Sequence, residues 1–200
     1  TGYVIGRLAG SNTGFSMAEV NGDLVVISTG SGNKHRLSVL RQHDVDGEDY
    51  TTFDPVAGLP NENYPTPIGK PGEQIKAVRV INNRAYIVTY RRRDPLYVID
   101  LSDTDAPQVR GELEIPGYSD YFHAIGENLL LGIGKDSIII DSRTTELGVK
   151  VALFDVTDPV NPTEIKHYII GDRGSSSQAQ YNHKAIAYLP GNEDRPHRLA

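Results

Sequence analysis

The stretch Val98-Ile99-Asp100-Leu101-Ser102-Asp103 returns 55 residues later as Leu153-Phe154-Asp155-Val156-Thr157-Asp158, and the same step takes Pro107 to Pro162 and Ile115 to Ile170. Four landmarks at one spacing mark a structural unit copied along the chain, and a period of that length belongs to solenoids and propellers. A second set of matches, at offsets that vary as loops do, runs through 16–29, 77–90 and 121–134. Each of these is an apolar stretch, a polar break and another apolar stretch. The breaks are Asn21-Gly22-Asp23, Asn82-Asn83 and Gly126-Glu127-Asn128, which supply the positive φ that tight hairpins need.

The flanking runs are short and rich in Val, Ile and Tyr, which favours strands over helices. Two units of four strands follow: 74–81, 84–90, 96–101 and 109–115, then 119–125, 128–134, 149–156 and 163–170. An earlier unit shows three strands at 15–20, 24–29 and 36–41, and 42–72 reads as a long Asp/Pro/Gly-rich insertion without alternation. At the start, Ile5-Gly6-Arg7-Leu8 echoes Arg110-Gly111-Glu112-Leu113, so 1–10 is expected to be the last strand of an otherwise absent unit. At the other end, 178–200 restarts the pattern with a first strand at 179–188. Tandem four-stranded antiparallel units of this size predict an all-β fold: a β-propeller of WD-like blades at about 15–70, 74–116 and 119–171, with partial blades at 1–10 and 178–200. Propellers close with about four to eight blades, so an incomplete ring is expected within one domain, 1–200.

Composition supports this reading and removes several classes of function. With 20 Gly and 12 Pro in 200 residues, punctuation is too frequent for a helix bundle. The net charge is −6 with acidic residues scattered, so nucleic acid is not an expected partner. No apolar run reaches the roughly 18 residues of a membrane helix. The absence of Cys removes disulfides, thiolate catalysis and zinc-thiolate sites. The chain starts at Thr1 without a basic-then-apolar leader, so a processed chain or a fragment is expected.

Particular residues also carry a resemblance to a known family. Pro71-Gly72-Glu73-Gln74-Ile75, Asn83-Arg84-Ala85-Tyr86-Ile87-Val88-Thr89-Tyr90 and Asp94-Pro95-Leu96-Tyr97-Val98-Ile99-Asp100-Leu101 resemble the secreted archaeal and bacterial proteins with a C-terminal β-propeller domain distantly related to WD repeats. Ile115-Pro116-Gly117-Tyr118-Ser119-Asp120-Tyr121 with His123, and Gly171-Asp172-Arg173-Gly174-Ser175 with His183-Lys184-Ala185, are similar to the same family. The resemblance is dense over 71–187. It implies an extracellular or cell-surface protein in which the propeller is part of a longer chain, and it brings no catalytic residues.

Several constellations bear on chemistry. Asp100/Asp103 and Asp155/Asp158 recur where a third strand ends, as turn-forming carboxylates do; calcium binding would use the same groups. His123 and His183 take the same place in successive first strands, 60 residues apart, and Arg79 holds that place one blade earlier. First strands line a propeller's channel, so these side chains are expected to converge there with Asp120. Inter-blade packing is the main reading; two imidazoles and a carboxylate are also a divalent-metal set, which the fixed charge of Arg79 opposes. Asp172 and Arg173 occupy an inter-blade loop, open either to ligand contact or to pinning the loop by their own pairing. Arg91-Arg92-Arg93 is a lone basic run, read as a solvated hairpin tip or a contact for an anionic surface. Asp44-Val45-Asp46-Gly47-Glu48-Asp49 has its Gly too early for an EF-hand, and Pro55 at the twelfth position.

The expected function is that of a non-catalytic secreted or cell-surface scaffold, with Arg79, Asp120, His123, Asp172, Arg173 and His183 as candidate ligand contacts. No cofactor and no metal are expected. The partners are a protein, a surface glycan, or the remaining blades of the same protein, with self-association open. The competing readings are a metal-dependent hydrolase or lyase at the central channel and a self-assembling surface protein.

Overall fold

The computed structural model describes residues 2–4, 15–90, 94–141, 143–192 and 195–199. Fifteen strands are found there: β1 Gly2–Val4, β2 Met17–Val20, β3 Asp23–Gly30, β4 Lys34–Asp44, β5 Thr51–Leu59, β6 Gln74–Ile81, β7 Arg84–Tyr90, β8 Asp94–Asp100, β9 Gln108–Ile115, β10 Tyr118–Ile125, β11 Leu129–Ile140, β12 Arg143–Asp155, β13 Thr163–Ile170, β14 Tyr188–Leu189 and β15 Arg198–Leu199. They form three large sheets, ordered β1-β5-β4-β3-β2, β6-β7-β8-β9 and β10-β11-β12-β13, and a β14-β15 pair. Antiparallel neighbours follow chain order within each sheet, as hairpin connections dictate. No described helix is long and apolar enough to cross a membrane.

The expected hairpin breaks sit where positive φ is needed, at Asn21 (52°), Asn82 (51°) and Gly126 (63°). The paired aspartates behave as turn formers. Asp100 and Asp155 each accept from the backbone N–H two residues on, at Ser102 and Thr157, both at 2.9 Å. Asp103 and Asp158 repeat the arrangement with Asp105 (3.0 Å) and Val160 (2.9 Å). One local sequence therefore builds one local turn twice. Each fourth strand also carries a bulge at the same place, opposite Val39/Leu40, Val98/Ile99 and Leu153/Phe154.

The sheets stack face to face, and a core forms at each junction. Val25, Ile27 and Val39 of the first sheet pack with Val78, Ile87 and Ile99 of the second. Tyr86, Val88 and Leu96 of the second pack with Phe122, Leu130 and Phe154 of the third, where Phe122 and Phe154 meet edge to face with centroids 6.0 Å apart. Tyr121, Ile133 and Val149 of the third pack with Ala179 and Ile186 beyond it. A strand with a neighbour on both faces has no wet side, so β7 reads as an unbroken apolar run: Ala85, Ile87 and Val88 are fully buried.

Polar groups fasten the same junctions. Asp23, only 3% exposed, accepts from Nε and Nη2 of Arg41 (2.9 and 2.7 Å) and from the Thr104 hydroxyl of the second sheet at 2.6 Å. The hydrogen bond from Arg41 is the main reason its carboxyl pKa lies below the usual value. Arg84 at the next hairpin donates to the Val156 carbonyl of the third sheet at 2.8 Å. His35 is fully buried; its Nε2 meets the Glu73 carbonyl at 2.9 Å and its Nδ1 meets the Thr29 hydroxyl at 2.9 Å. A carbonyl only accepts, so Nε2 carries a proton, and in the neutral ring Nδ1 accepts from the Thr29 hydroxyl. Burial lowers its pKa accordingly.

Three expectations need correction. The stretch 42–72 is not all insertion, because it contains β5, the fourth strand of the first sheet. Pro55 hid it: the missing N–H falls beside the bulge, where ladder pairing already lapses. Residues 2–4 do not found an absent unit; β1 runs parallel to β5 as a fifth, outer strand. The restart at 179–188 is not a strand but two 3₁₀ turns, Gln178–Gln180 and His183–Ala185. Ser177 and Asn182 capture backbone N–H groups there and draw the chain out of extended pairing. The echo at Ile5 to Leu8 and the Arg91-Arg92-Arg93 run lie outside the described residues.

Candidate functional site

The first strands of the second and third sheets, β6 and β10, are each interrupted once, between Ile75 and Ala77 and between Ser119 and Tyr121. A bulge adds a residue and re-aims it. The residues so displaced, Lys76 and Asp120, hold the same position 44 residues apart, and Gln180 stands 60 residues further on. All three reach one pocket. Its volume is about 310 Å³, and its walls are 76–78, 120–122 and 179–183, with the Phe15 ring completing it. Successive units thus contribute equivalent residues to one cavity.

Inside the pocket, Gln180 Nε2 donates to Asp120 Oδ2 at 2.8 Å. Burial raises the Asp120 pKa, and the Gln180 bond together with the Lys76 charge opposes that rise. The Lys76 ammonium lies over the rings of Tyr118 and Tyr90, 4.8 and 5.3 Å from their centroids, a placement that holds a cation without a direct carboxylate partner. Tyr118 in turn donates to Glu146 at 2.8 Å, and burial pushes its phenol pKa up.

The anticipated ring of Arg79, His123 and His183 is present in altered form. Arg79 and His123 lie on β6 and β10, but His183 lies in a 3₁₀ turn, and aromatic rings separate the three. The Arg79 guanidinium stacks on Phe15 at 4.3 Å from the centroid, and His183 meets the same ring edge-on at 5.3 Å. Tyr121 shares a hydrogen bond with His123 Nδ1 at 3.3 Å, and His123 packs 4.9 Å from Tyr188. Burial, and next the Arg79 charge, lower the His123 pKa. No group of three or more metal-ligating side chains is assembled among the described residues.

Comparison with known proteins gives the arrangement its context. The sequence profile described as the Beta propeller domain matches residues 1–194. The chain belongs to that family. It is similar to an uncharacterized protein of Methanocaldococcus jannaschii, 39% identical over 168 residues that cover 84% of this chain and 24% of that one. It is also similar to an uncharacterized protein of Archaeoglobus fulgidus, 34% identical over 172 residues covering 86% and 23%. The chain spans about a quarter of the length of these relatives. No solved structure matches it.

The first strands surround the axis in a β-propeller, and the pocket is built on two of them: Lys76 and Asp120 line it, whereas Arg79 and His123, three residues further along β6 and β10, do not. Asp172 and Arg173 are placed elsewhere. They stand exposed in the turn after β13 and take no part in the axial pocket. That turn is closed by Ser175, whose hydroxyl accepts from the Asp172 N–H at 3.1 Å and whose own N–H reaches the Asp172 carbonyl at 3.0 Å. Lys76, Gln180 and Phe15 escaped sequence reasoning. The signal for the first two was available, because they keep the same spacings from Asp120 that Arg79 and His183 keep from His123. Nothing in the sequence brings Phe15 to the axis.

Proposed function

We propose that this propeller is a non-catalytic, secreted or cell-surface binding scaffold that receives its ligand in the axial pocket. The observation that carries the reading is the convergence of Lys76, Asp120 and Gln180 from successive units on one cavity of about 310 Å³, at the small end of ligand sites. Hydrogen-bonding groups beside the Phe15 and Tyr121 rings suit a surface glycan or a polar protein loop. The chain has no Trp and 11 Tyr, so tyrosine emission follows occupancy. Titrating the full chain with cell-surface glycan fragments should change that emission saturably. Gln180→Leu should weaken binding about tenfold by stranding the Asp120 carboxyl. No saturable response to any fragment, or an unchanged Gln180→Leu variant, would overturn the assignment of the pocket. Recovery of the protein in the cytosolic fraction would overturn the location.

A second reading, an enzyme at the same mouth, draws on the raised pKa of Asp120, since a buried carboxyl is a candidate proton donor. Cleavage of a bound glycan that Asp120→Asn abolishes would replace the scaffold reading with this one.

A further inference from the structure

At both internal junctions the loop between a sheet's third and fourth strands reaches back onto the sheet before it. In the second sheet that loop gives the Thr104 hydroxyl to Asp23, and Asn21 and Asn61 donate to its Ser102 and Pro107 carbonyls. In the third sheet it presses on Gly111 with Pro159, Val160 and Pro162, and its Val156 carbonyl takes the Arg84 bond. The corresponding loop of the first sheet, 45–50, has no preceding sheet to meet among the described residues. Asp46, Glu48 and Asp49, with Asp44 at its base, all stand exposed. The far end of the stack is open as well. Ala179 and Ile186 pack on the inner part of the third sheet, against Tyr121, Ile133 and Val149, but on the outer strand β13 both Tyr168 and Ile170 are exposed. Lys166 lies on the face of Tyr168, its ammonium 5.2 Å from that ring centroid. Opposite Val39, Val98 and Leu153, the three fourth strands place Ala57, Gly111 and Lys166, so only the third sheet is basic where the next loop presses. The neighbouring Glu164 is engaged by Lys150 and His167.

We infer that a second copy of the chain docks head to tail, its first sheet against the third sheet of its partner and its acidic loop over Lys166. Of the three loops, the one at 44–49 is the most acidic, with four carboxylates in six residues, and it meets the one basic position. Opposite charge across the contact selects the partner and sets the register. Tyr168 and Ile170 gain the cover that Leu113 and Ile115 have between the second and third sheets. The turns at Ala179 and Ile186 hold the inner end of the face, which confines the contact to outer strands. Such a contact falls in the small, transient class, below about 1,200 Å². Association therefore belongs to concentrated solution, and the dilute chain of an unfolding measurement is a monomer.

Sedimentation velocity of the full chain tests this. At roughly 1 μM it should sediment as a monomer and at roughly 200 μM largely as associated species, a span that crosses the Kd of a weak contact. Lys166→Glu should stay monomeric at both concentrations, and so should the doubly reversed loop, Asp46→Lys with Glu48→Lys. All three substitutions are at exposed positions, and a thermal melt of each variant verifies folding. Mixing the two variants should restore association, because the charges are then opposite again across one contact. A monomer at roughly 200 μM, association that survives Lys166→Glu, or a mixture of the two variants that stays monomeric would overturn the inference.

Discussion

The outer strands of the second and third sheets repeat one pattern at a 55-residue step, yet the same position meets opposite surroundings in the two. Ile115 is 5% exposed and Ile170 is 60% exposed. Leu113 packs into the core between the two sheets, whereas Tyr168, its counterpart, is 61% exposed. Backbone features do not differ in this way: the Asx turns and the fourth-strand bulge recur unchanged. Turns and bulges arise from residues within a sheet, while burial of the outer strand depends on the sheet that follows. Gly111 and Lys166 make the point sharply. A Cβ on Gly111 would lie 2.3 Å from the Pro159 carbonyl oxygen of the third sheet, so only glycine fits there, while Lys166 at the matching place stands in solvent.

The strongest way to break this comparison is truncation at the two isoleucines. Ile115→Ala should cost about 2 to 5 kcal/mol through lost burial and a cavity, and Ile170→Ala less than about 0.5 kcal/mol. Urea unfolding of both variants measures it, and equal losses would mean that Ile170 is covered in solution. Next in size, Gly111→Ala should cost about 1 to 3 kcal/mol because backbone must move, with Lys166→Ala nearly neutral in the same assay.

A pH scan sharpens the comparison from the polar side. His35 at the first junction is held neutral, with its folded pKa below the unfolded value near 6.5. Its contribution is complete above pH 6.5 and is lost as pH falls below that, because the unfolded chain binds the proton first. Stability should therefore fall between pH 7 and 5.5, by at most about 1.4 kcal/mol per pH unit from this group, with the melting temperature falling in step, and His35→Gln should flatten part of the slope. His123 adds a change of the same sign. Asp23, with its pKa lowered, acts only in stronger acid. The smallest effect is at Arg84, where Arg84→Met removes the bond to Val156 and should cost about 1 kcal/mol; a melt unaffected by the change would show that this link contributes nothing to the junction.

The contrast also explains what was legible in the sequence. Hairpin tips, Asx turns and the strands of the second and third sheets were readable, because short-range chemistry at Asn82 or Asp155 fixes them. β5 was not, since Pro55 and scattered acids mask a strand whose pairing comes from β4. The long β11–β12 ribbon, with Ile138, Ile139 and Ile140 exposed near its end, carried no signal that separated it from an ordinary hairpin. Arg79 and His123 fall at equivalent places on β6 and β10, and Asp120 in the pocket wall, as the repeat register implies. The 3₁₀ turn at His183 and the wedge of Phe15 depend on long-range packing, which repeat spacing does not report.

The core between the first two sheets joins Val25 and Ile27 to Ile99 and Leu101, and this ordering has a consequence for synthesis. At roughly 5 to 20 residues per second on the ribosome, the apolar face of the first sheet waits about 4 to 15 seconds for the strand that will cover it. The first hairpins must therefore persist on their own turns and hydrogen bonds through that interval. During it, the nascent chain offers a binding surface to any chaperone that reaches it first.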